Sequence, residues 1–354
     1  MRLGGTESHI RELATRLGTV GHDVSLLTLQ GKQTVRFDRV RVFTVKPSRG
    51  ESLDSYPNGN PMLYLYTALY ALKALVALLS MRARGAKFDV VSVHFTVEAA
   101  LCIILRPLMR WKVMFVLEGF TSAEARTARF SDATVAISQT IAQKCASRFG
   151  FSPTVIPAGV DRSRFRPSSQ ARKREVLIVG RMVDVKGLEM LAPIAQSLER
   201  LTKDFQFVVV GDGPLRVVTE SGVRQQGLEG HFSFPGRVDD DQLVEYYQES
   251  SVFLYAGAIR EEDSFSIAVL EANSCGLPAI VLSEEAKFEA LGDGGVVIKP
   301  DKTSKIAEEI ERMLVDDVYW KKISRKAIEN AESHDWTRIM VAYDHAYRRC
   351  ADLP

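Results

Sequence analysis

Short apolar runs rich in Val, Ile and Phe alternate with longer segments of helical period along almost the whole chain, and this alternation narrows the fold more than any other feature of the sequence. Strands that read as continuous apolar runs are buried on both faces, the condition of parallel sheets covered by helices. The first half predicts strands at 23–29, 40–45, 89–94, 112–117 and 133–138. The second half predicts strands at 175–180, 205–211, 231–236, 252–256, 278–282 and 295–299. Helices are expected between them, in the second half at about 187–201, 214–226, 239–249, 266–275 and 301–315.

With 354 residues the chain is too long for one ordinary α/β core, and it suits two domains of roughly 150 to 180 residues each. Apolar residues thin out and Pro, Ser and charges gather in RFRPSSQARKRE at 164–175, which reads as the linker. The segment 319–349, with Trp336, Tyr343 and Tyr347 along it, predicts two amphipathic helices with no strand after them. The organisation expected is an N-terminal domain at 1–160, a C-terminal domain at 161–330 and a final helix at 331–354 packing back on the N-terminal domain. A doubly wound domain places a buried strand before its glycine loop. Only Met1, Arg2 and Leu3 precede Gly4, so the first strand is expected to be missing, and the stretch from Gly119 to Ala133 is short for the helix expected there.

A net charge of +2 without clustered basic residues gives no reason to expect nucleic acid as a partner. Cys102, Cys145, Cys275 and Cys350 lie far apart and form no CxxC pair, so neither a zinc site nor a disulfide framework is suggested. The start lacks the pattern of a signal peptide, and the expected compartment is a reducing cytoplasm. The segment MLYLYTALYALKALVALLSM at 62–81 carries Lys73 as its only charge and is followed by Arg82, Arg84 and Lys87. It fits a packed core helix, an interfacial helix on an anionic lipid surface, or a membrane span, and the second would put the protein peripherally at the inner face of the membrane.

In an open parallel sheet, ligands bind beyond the carboxyl ends of the strands, where the amides of the next helix point outward. Gly180, Arg181 and Lys186 stand just past the apolar run VLIV. Two cations there suit a diphosphate, Arg by forking across the oxygens and Lys as a compact charge; a solvated loop is the plainer alternative. The second segment, EEDSFSIAVLEANSCGLPAIV, puts Asp263 before a helix and Glu271 eight residues on, about two turns inside it. Ser264, Phe265 and Ser266 occupy the helix start, whose free N–H groups can hold a phosphate. Burying Glu271 among Val269, Leu270 and Ala272 is costly without partners, and ribose hydroxyls would serve. The alternative is an N-cap Asp with a Glu paired to a neighbouring Arg. Gly211 in VVVGDGP marks a turn after a strand, and GRVDDDQLVEYY offers Asp239 to Asp241 as caps for the next helix.

In this order the segments resemble glycosyltransferase family 4, the retaining GT-B enzymes of the glycosyl transferases group 1. The likeness rests on IPAGVD at 156–161 with Phe165 and Pro167, GRMVDVKG at 180–187, GDGP at 211–214, PGRVDDD at 235–241, DSFS at 263–266 and LEANSCGLP at 270–278. It extends to GGTESHIRELATRLGTVGHDV at 4–24. The resemblance implies an α/β GT-B fold of two Rossmann-like doubly wound domains facing a cleft, with C-terminal helices crossing back. It also implies transfer of a hexose, with retention, from a UDP- or GDP-linked sugar to a glycan or lipid-linked acceptor, with no obligatory cofactor or metal.

Carried over by position, Arg181 and Lys186 would hold the donor diphosphate, Glu271 the ribose and Asp263 the hydroxyls of the transferred sugar. The amides at Ser264 to Ser266 would join the phosphate site with Gly180 and Gly211 beside it, the backbone at Val238 would meet the base, and Gly4 and Gly5 would close over the phosphates. The chain departs from the family pattern where Asp263 replaces a Glu and Ser266 a Gly. A third departure is Glu118-Gly119, where many members carry His-Gly, so no catalytic imidazole is carried over to that position or to His94. Two other functions compete: a non-catalytic nucleotide-sugar binding protein, which would bind donor without turnover, and a sugar-nucleotide epimerase, which would act without an acceptor.

Overall fold

The computed structural model of the chain describes residues 5–29, 39–45, 61–257 and 265–353, with the backbone alone at 29 and 61–68. Its backbone contacts divide the chain into two compact units, one of Met1–Ser8 with Pro157–Ile339 and one of His9–Ile156 with Met340–Pro354.

In the C-terminal unit, strands and helices alternate as β7 (Glu175–Val179), α6 (Leu191–Glu199), β8 (Gln206–Val210), α7 (Arg216–Gln225), β9 (Phe232–Gly236), α8 (Asp240–Glu249), β10 (Val252–Tyr255), α9 (Ile267–Ser274), β11 (Ala279–Leu282), β12 (Gly295–Ile298), α10 (Thr303–Val315) and α11 (Asp317–Ser333). The six strands form one sheet in the order β12-β11-β10-β7-β8-β9, every pair parallel. All four residues of β10 and of β11 are buried, as a sheet covered on both faces requires. Ile194 and Leu198 of α6 join Ile306, Ile310 and Met313 of α10 in the core on one face. On the other face α9 is buried from Val269 to Ser274 and packs against α11. Asp239 is the cap of α8: its side chain accepts from the amides of Asp241 and Gln242, and Gln242 reaches back to the Asp239 amide.

The largest boundary difference from the sequence expectation in the C-terminal unit follows β7. The helix after β7 begins at Leu191, not near 187, because two 3₁₀ turns, Asp184–Lys186 and Leu188–Met190, come first. Gly187 between them has φ +62°, and a Cβ there would stand 2.6 Å from the Ala256 carbonyl oxygen. That left-handed residue breaks the helical run and lets the loop lie close to the end of β10.

In the N-terminal unit the elements are α1 (Gly5–Thr19, whose first residues fall to the other unit), β1 (Val24–Leu29), β2 (Val40–Val45), α2 (Pro61–Ala83), β3 (Val90–Val93), α3 (Thr96–Met109), β4 (Lys112–Leu117), α4 (Ser122–Ala128), β5 (Ala133–Ala136), α5 (Gln139–Phe149) and β6 (Thr154–Val155). β1 pairs with β2, while β3-β4-β5-β6 form a second sheet, and all pairs are parallel. No strand precedes α1 among the described residues. The short segment after β4 still forms one helix, α4, closed by a capping box of Thr121 and Glu124.

The last helix, α12 (Trp336–Ala351), passes from one unit to the other at Ile339/Met340. Within the N-terminal unit Tyr343 and Tyr347 are its buried anchors, and the Tyr347 hydroxyl donates to Ser92 Oγ at 2.8 Å. All four cysteines are free and buried.

Candidate functional site

The sheet of the C-terminal unit reverses its winding between β7 and β10, and the carboxyl ends of those two strands frame the crevice where an open α/β sheet takes a ligand. Gly180 and Arg181 follow β7, and Tyr255 ends β10. Lys186 closes the 3₁₀ turn after Arg181 and bridges the two strand ends: its Nζ donates to the Tyr255 hydroxyl at 3.3 Å and lies 5.3 Å from the ring centroid. Arg181 is exposed in the same loop.

The loops after β7, β8 and β9 are laced together by main-chain bonds. Gly180 N donates to Val210 O at 3.0 Å, Gly211 N to Gly236 O at 2.9 Å and Met182 N to Asp212 O at 3.0 Å. Gly211 has φ +141°, and a Cβ on it would fall 1.8 Å from the Gly180 carbonyl oxygen, so this position admits no side chain. Its place in the site is to let the backbone of the Arg181 loop approach. Val238 is half-buried between the end of β9 and the Asp239 cap of α8.

Beyond β10 the chain enters α9 at its cap residue Ser266, which is extended and makes no side-chain cap hydrogen bond. The first amides of α9 are therefore not taken up by a capping side chain, which suits an anion at the positive end of the helix. Phe265 and Ser266 are buried. Gly5, at the start of α1 and grouped with this unit, would place a Cβ 3.9 Å from Ile267 Cδ1, an ordinary contact. Gly4, Asp263 and Ser264 lie outside the described residues.

Glu271 stands inside α9 and is 4% exposed. The buried hydroxyl of Tyr247, on α8, donates to Glu271 Oε2 at 2.9 Å. Tyr247 is held in turn by Phe165, edge-to-face with centroids 5.9 Å apart, and by Phe253 at 5.8 Å. Phe165, noted in the sequence only as a motif residue, is thus the packing support of the side chain that satisfies the buried carboxylate. Burial, and after it the charge of Glu271, pushes the Cys275 thiol well up, so it stays protonated beside the site.

Sequence reasoning missed Tyr247 and Tyr255. Tyr255 had a usable signal, as the last residue of the apolar run VFLY, at a strand's carboxyl end. Tyr247 had none, since a Tyr on the inner face of an amphipathic helix reads as packing.

A second polar cluster occupies the carboxyl ends of β3 and β4 in the N-terminal unit. His94 follows β3 and Glu118 follows β4, and these neighbouring strands bring His94 Nδ1 to 3.0 Å from Glu118 Oε1. His9 of α1 approaches the same carboxylate, with Nδ1 3.0 Å from Oε2, and its Nε2 lies 3.3 Å from the Tyr343 hydroxyl. Burial would raise the Glu118 pKa, but the charge and hydrogen bonds of His9, with those of His94, outweigh it and hold the carboxyl down at about 2.

Residues 160–334 match the family Glycosyl transferases group 1, and residues 3–164 match Glycosyltransferase Family 4. Among characterised proteins the chain is 24% identical to a GDP-mannose-dependent alpha-(1-6)-phosphatidylinositol monomannoside mannosyltransferase of Mycobacterium tuberculosis, over 99% of this chain and 94% of that one. It is 27% identical to a phosphatidyl-myo-inositol mannosyltransferase of Propionibacterium freudenreichii, over 82% of this chain and 77% of that one. Among solved structures, sucrose-phosphate synthase of Thermosynechococcus elongatus superposes with a TM-score of 0.79 at 19% identity, covering 98% of this chain and 93% of that one. Anabaena HepE in complex with UDP and glucose superposes with a TM-score of 0.75 at 17% identity, covering 99% and 97%. Two Rossmann-like units of parallel sheet, a basic loop and an uncapped helix at a topological switch point, and family matches that together take in nearly the whole sequence have one reading: the chain belongs to the group 1, family 4 glycosyltransferases and is a glycosyltransferase of GT-B fold.

Proposed function

We propose that the protein is a retaining hexosyltransferase that moves a sugar from a UDP- or GDP-linked donor to a lipid-linked acceptor at a membrane surface. The observation that carries this reading is the convergence at the β7/β10 switch point of the Lys186–Tyr255 bridge, the uncapped start of α9 and the buried Glu271. Arg181 and Lys186 hold the diphosphate, with the backbone of Gly180, Gly211, Gly4 and Gly5 and the amides of Ser264, Phe265 and Ser266 around it. Glu271 takes the ribose, Asp263 the sugar hydroxyls, and the backbone at Val238 the base. In transfer, the bond from the anomeric carbon to the phosphate oxygen breaks with its electron pair going to the nucleoside diphosphate, a bond to the acceptor oxygen forms on the same face, and the acceptor hydroxyl proton passes to the departing phosphate. Stabilising the charge on the departing phosphate is the protein's main task. Residues 161–330 form the donor domain, residues 1–160 the acceptor side, and 331–354 a helix that packs back on it.

The test is incubation with a panel of UDP- and GDP-sugars and vesicles containing phosphatidylinositol, phosphatidylglycerol or neutral lipid. Release of nucleoside diphosphate with one base, and a product whose anomeric proton coupling matches the donor, is the expected result. An inverted product contradicts retention, and no release from any donor contradicts the activity.

The lipid acceptor is supported by relatives whose names specify phosphatidylinositol substrates, and by α2. Leu69, Leu72, Val76 and Leu79 are exposed along that helix at spacings of three and four, so they form one apolar stripe, while Ala71 and Ala74 are buried on the other side. The exposed Arg84 and Lys87 follow. A helix fully packed in a core would hide that stripe, and no helix among the described residues is long and apolar enough to cross a membrane. An apolar stripe beside cations suits the interface of an anionic bilayer, where each Lys or Arg adds about 1 kcal/mol. The chain should float with phosphatidylglycerol vesicles, and Leu72→Asp with Val76→Asp, at 54% and 59% exposure, should abolish flotation while leaving the melting temperature unchanged. Equal flotation of native and doubly substituted chains would exclude α2 as the contact.

A further inference from the structure

We propose that His94 binds an acceptor hydroxyl through Nε2 and that Glu118 is the positioning residue that fixes its tautomer; this rests on the transferase reading above. The pair stands where a parallel sheet presents ligand-binding groups, at the carboxyl ends of the adjacent strands β3 and β4. A carboxylate only accepts hydrogen bonds, so the 3.0 Å contact from His94 Nδ1 to Glu118 Oε1 puts the proton on Nδ1. In the neutral form of the ring, Nε2 is then the lone-pair acceptor. No partner for that nitrogen is found among the described residues, and it is not among the buried polar atoms that lack one.

His9 supplies the second clamp on the carboxylate, and Tyr343 anchors His9 from its far side. Both His9 and Tyr343 are buried, whereas His94 keeps 8% of its side chain accessible, so of the two imidazoles His94 is the one a substrate can reach. The charge of the cluster selects the ligand. A lone-pair nitrogen backed by an anionic carboxylate repels phosphate and attracts a neutral donor, and a sugar or polyol hydroxyl has the required O–H. Two imidazoles and a carboxylate are also a metal-binding composition, but both Nδ1 atoms are engaged by the carboxylate, and no group of three such side chains among the described residues could hold a metal ion.

The decisive variant is His94→Asn, whose amide nitrogen falls where Nδ1 was. It keeps the hydrogen bond to Glu118 and removes only Nε2. Transfer is measured to whichever vesicle or free polyol in a panel of phosphatidylinositol, myo-inositol and glycerol supports the highest native rate, alongside slow release of nucleotide to water. His94→Asn should keep the native melting temperature and the rate of release to water, and lose transfer to the acceptor by about tenfold or more. Glu118→Gln offers one donor and one acceptor, so one imidazole must reverse its tautomer. Histidine ¹⁵N spectra should show His9 and His94 both protonated on Nδ1 in the native chain and one of them protonated on Nε2 in Glu118→Gln, with transfer lowered where that one is His94 and donor KM unchanged. Native transfer by His94→Asn, or native His94 protonated on Nε2, would overturn the proposal and leave the transferase reading standing. A native chain that releases no nucleotide would overturn both.

Discussion

Lys186→Ala should lower the rate of transfer by about 10²- to 10³-fold, the range found when one preorganised donor is removed from a developing negative charge, with the melting temperature close to native. In the structure this ammonium donates to the Tyr255 hydroxyl at 3.3 Å, and its side chain is half-buried. Losing that contact costs at most about 1 to 2 kcal/mol of stability. The effect on the reaction is larger because a diphosphate leaving group gains charge as its bond to the sugar breaks, and a cation fixed by the Tyr255 ring needs little reorganisation to meet it. Lys186→Arg should recover only part of the rate, since the guanidinium fork cannot occupy the same point between the strand ends. Steady-state release of nucleoside diphosphate checks all of this, and full activity in Lys186→Ala would remove the residue from the site.

Glu271→Ala should be nearly as damaging, and it should fail differently. The carboxylate is the acceptor for the Tyr247 hydroxyl in the core of the C-terminal unit. Its removal leaves a buried hydroxyl without that partner, a cost of about 1 to 3 kcal/mol, and a lower melting temperature. It also removes the group assigned to the ribose, so donor KM should rise by about tenfold or more. Tyr247→Phe separates the two effects. It keeps the ribose ligand and takes away its orienting hydrogen bond, so donor KM should rise less than in Glu271→Ala. An unchanged donor KM in Glu271→Ala would show that Glu271 serves the core alone.

The strands were legible as short apolar runs, wholly buried at β10 and β11, and those at 40–45 and 112–117 have the bounds expected from the pattern. The delayed start of α6 was not legible: Gly187 reads equally well as part of a helix start or as a break, and the contact with Ala256 that decides between them is made by a segment about 70 residues away. The donor-site candidates on β7 and α9 were visible as charges where strands end. What escaped was what holds them, the hydroxyls of Tyr247 and Tyr255. Both come from other elements, so no local spacing encodes the pairing. The His9, His94 and Glu118 cluster shows the same gap over a greater distance, since three separate segments meet at one carboxylate and only the register of β3 against β4 makes two of them neighbours.

If the crevice between Arg181 and Glu271 binds a nucleoside diphosphate, thermal unfolding with UDP, GDP and their sugars will register it. A ligand that binds only the folded chain adds about 2.7 kcal/mol of apparent stability at about 100 times Kd. One of the two diphosphates should raise the melting temperature of the native chain, and the shift should shrink in Lys186→Ala and Glu271→Ala. If neither nucleotide moves the transition, or if both substitutions leave the shift intact, the donor site does not lie in this crevice.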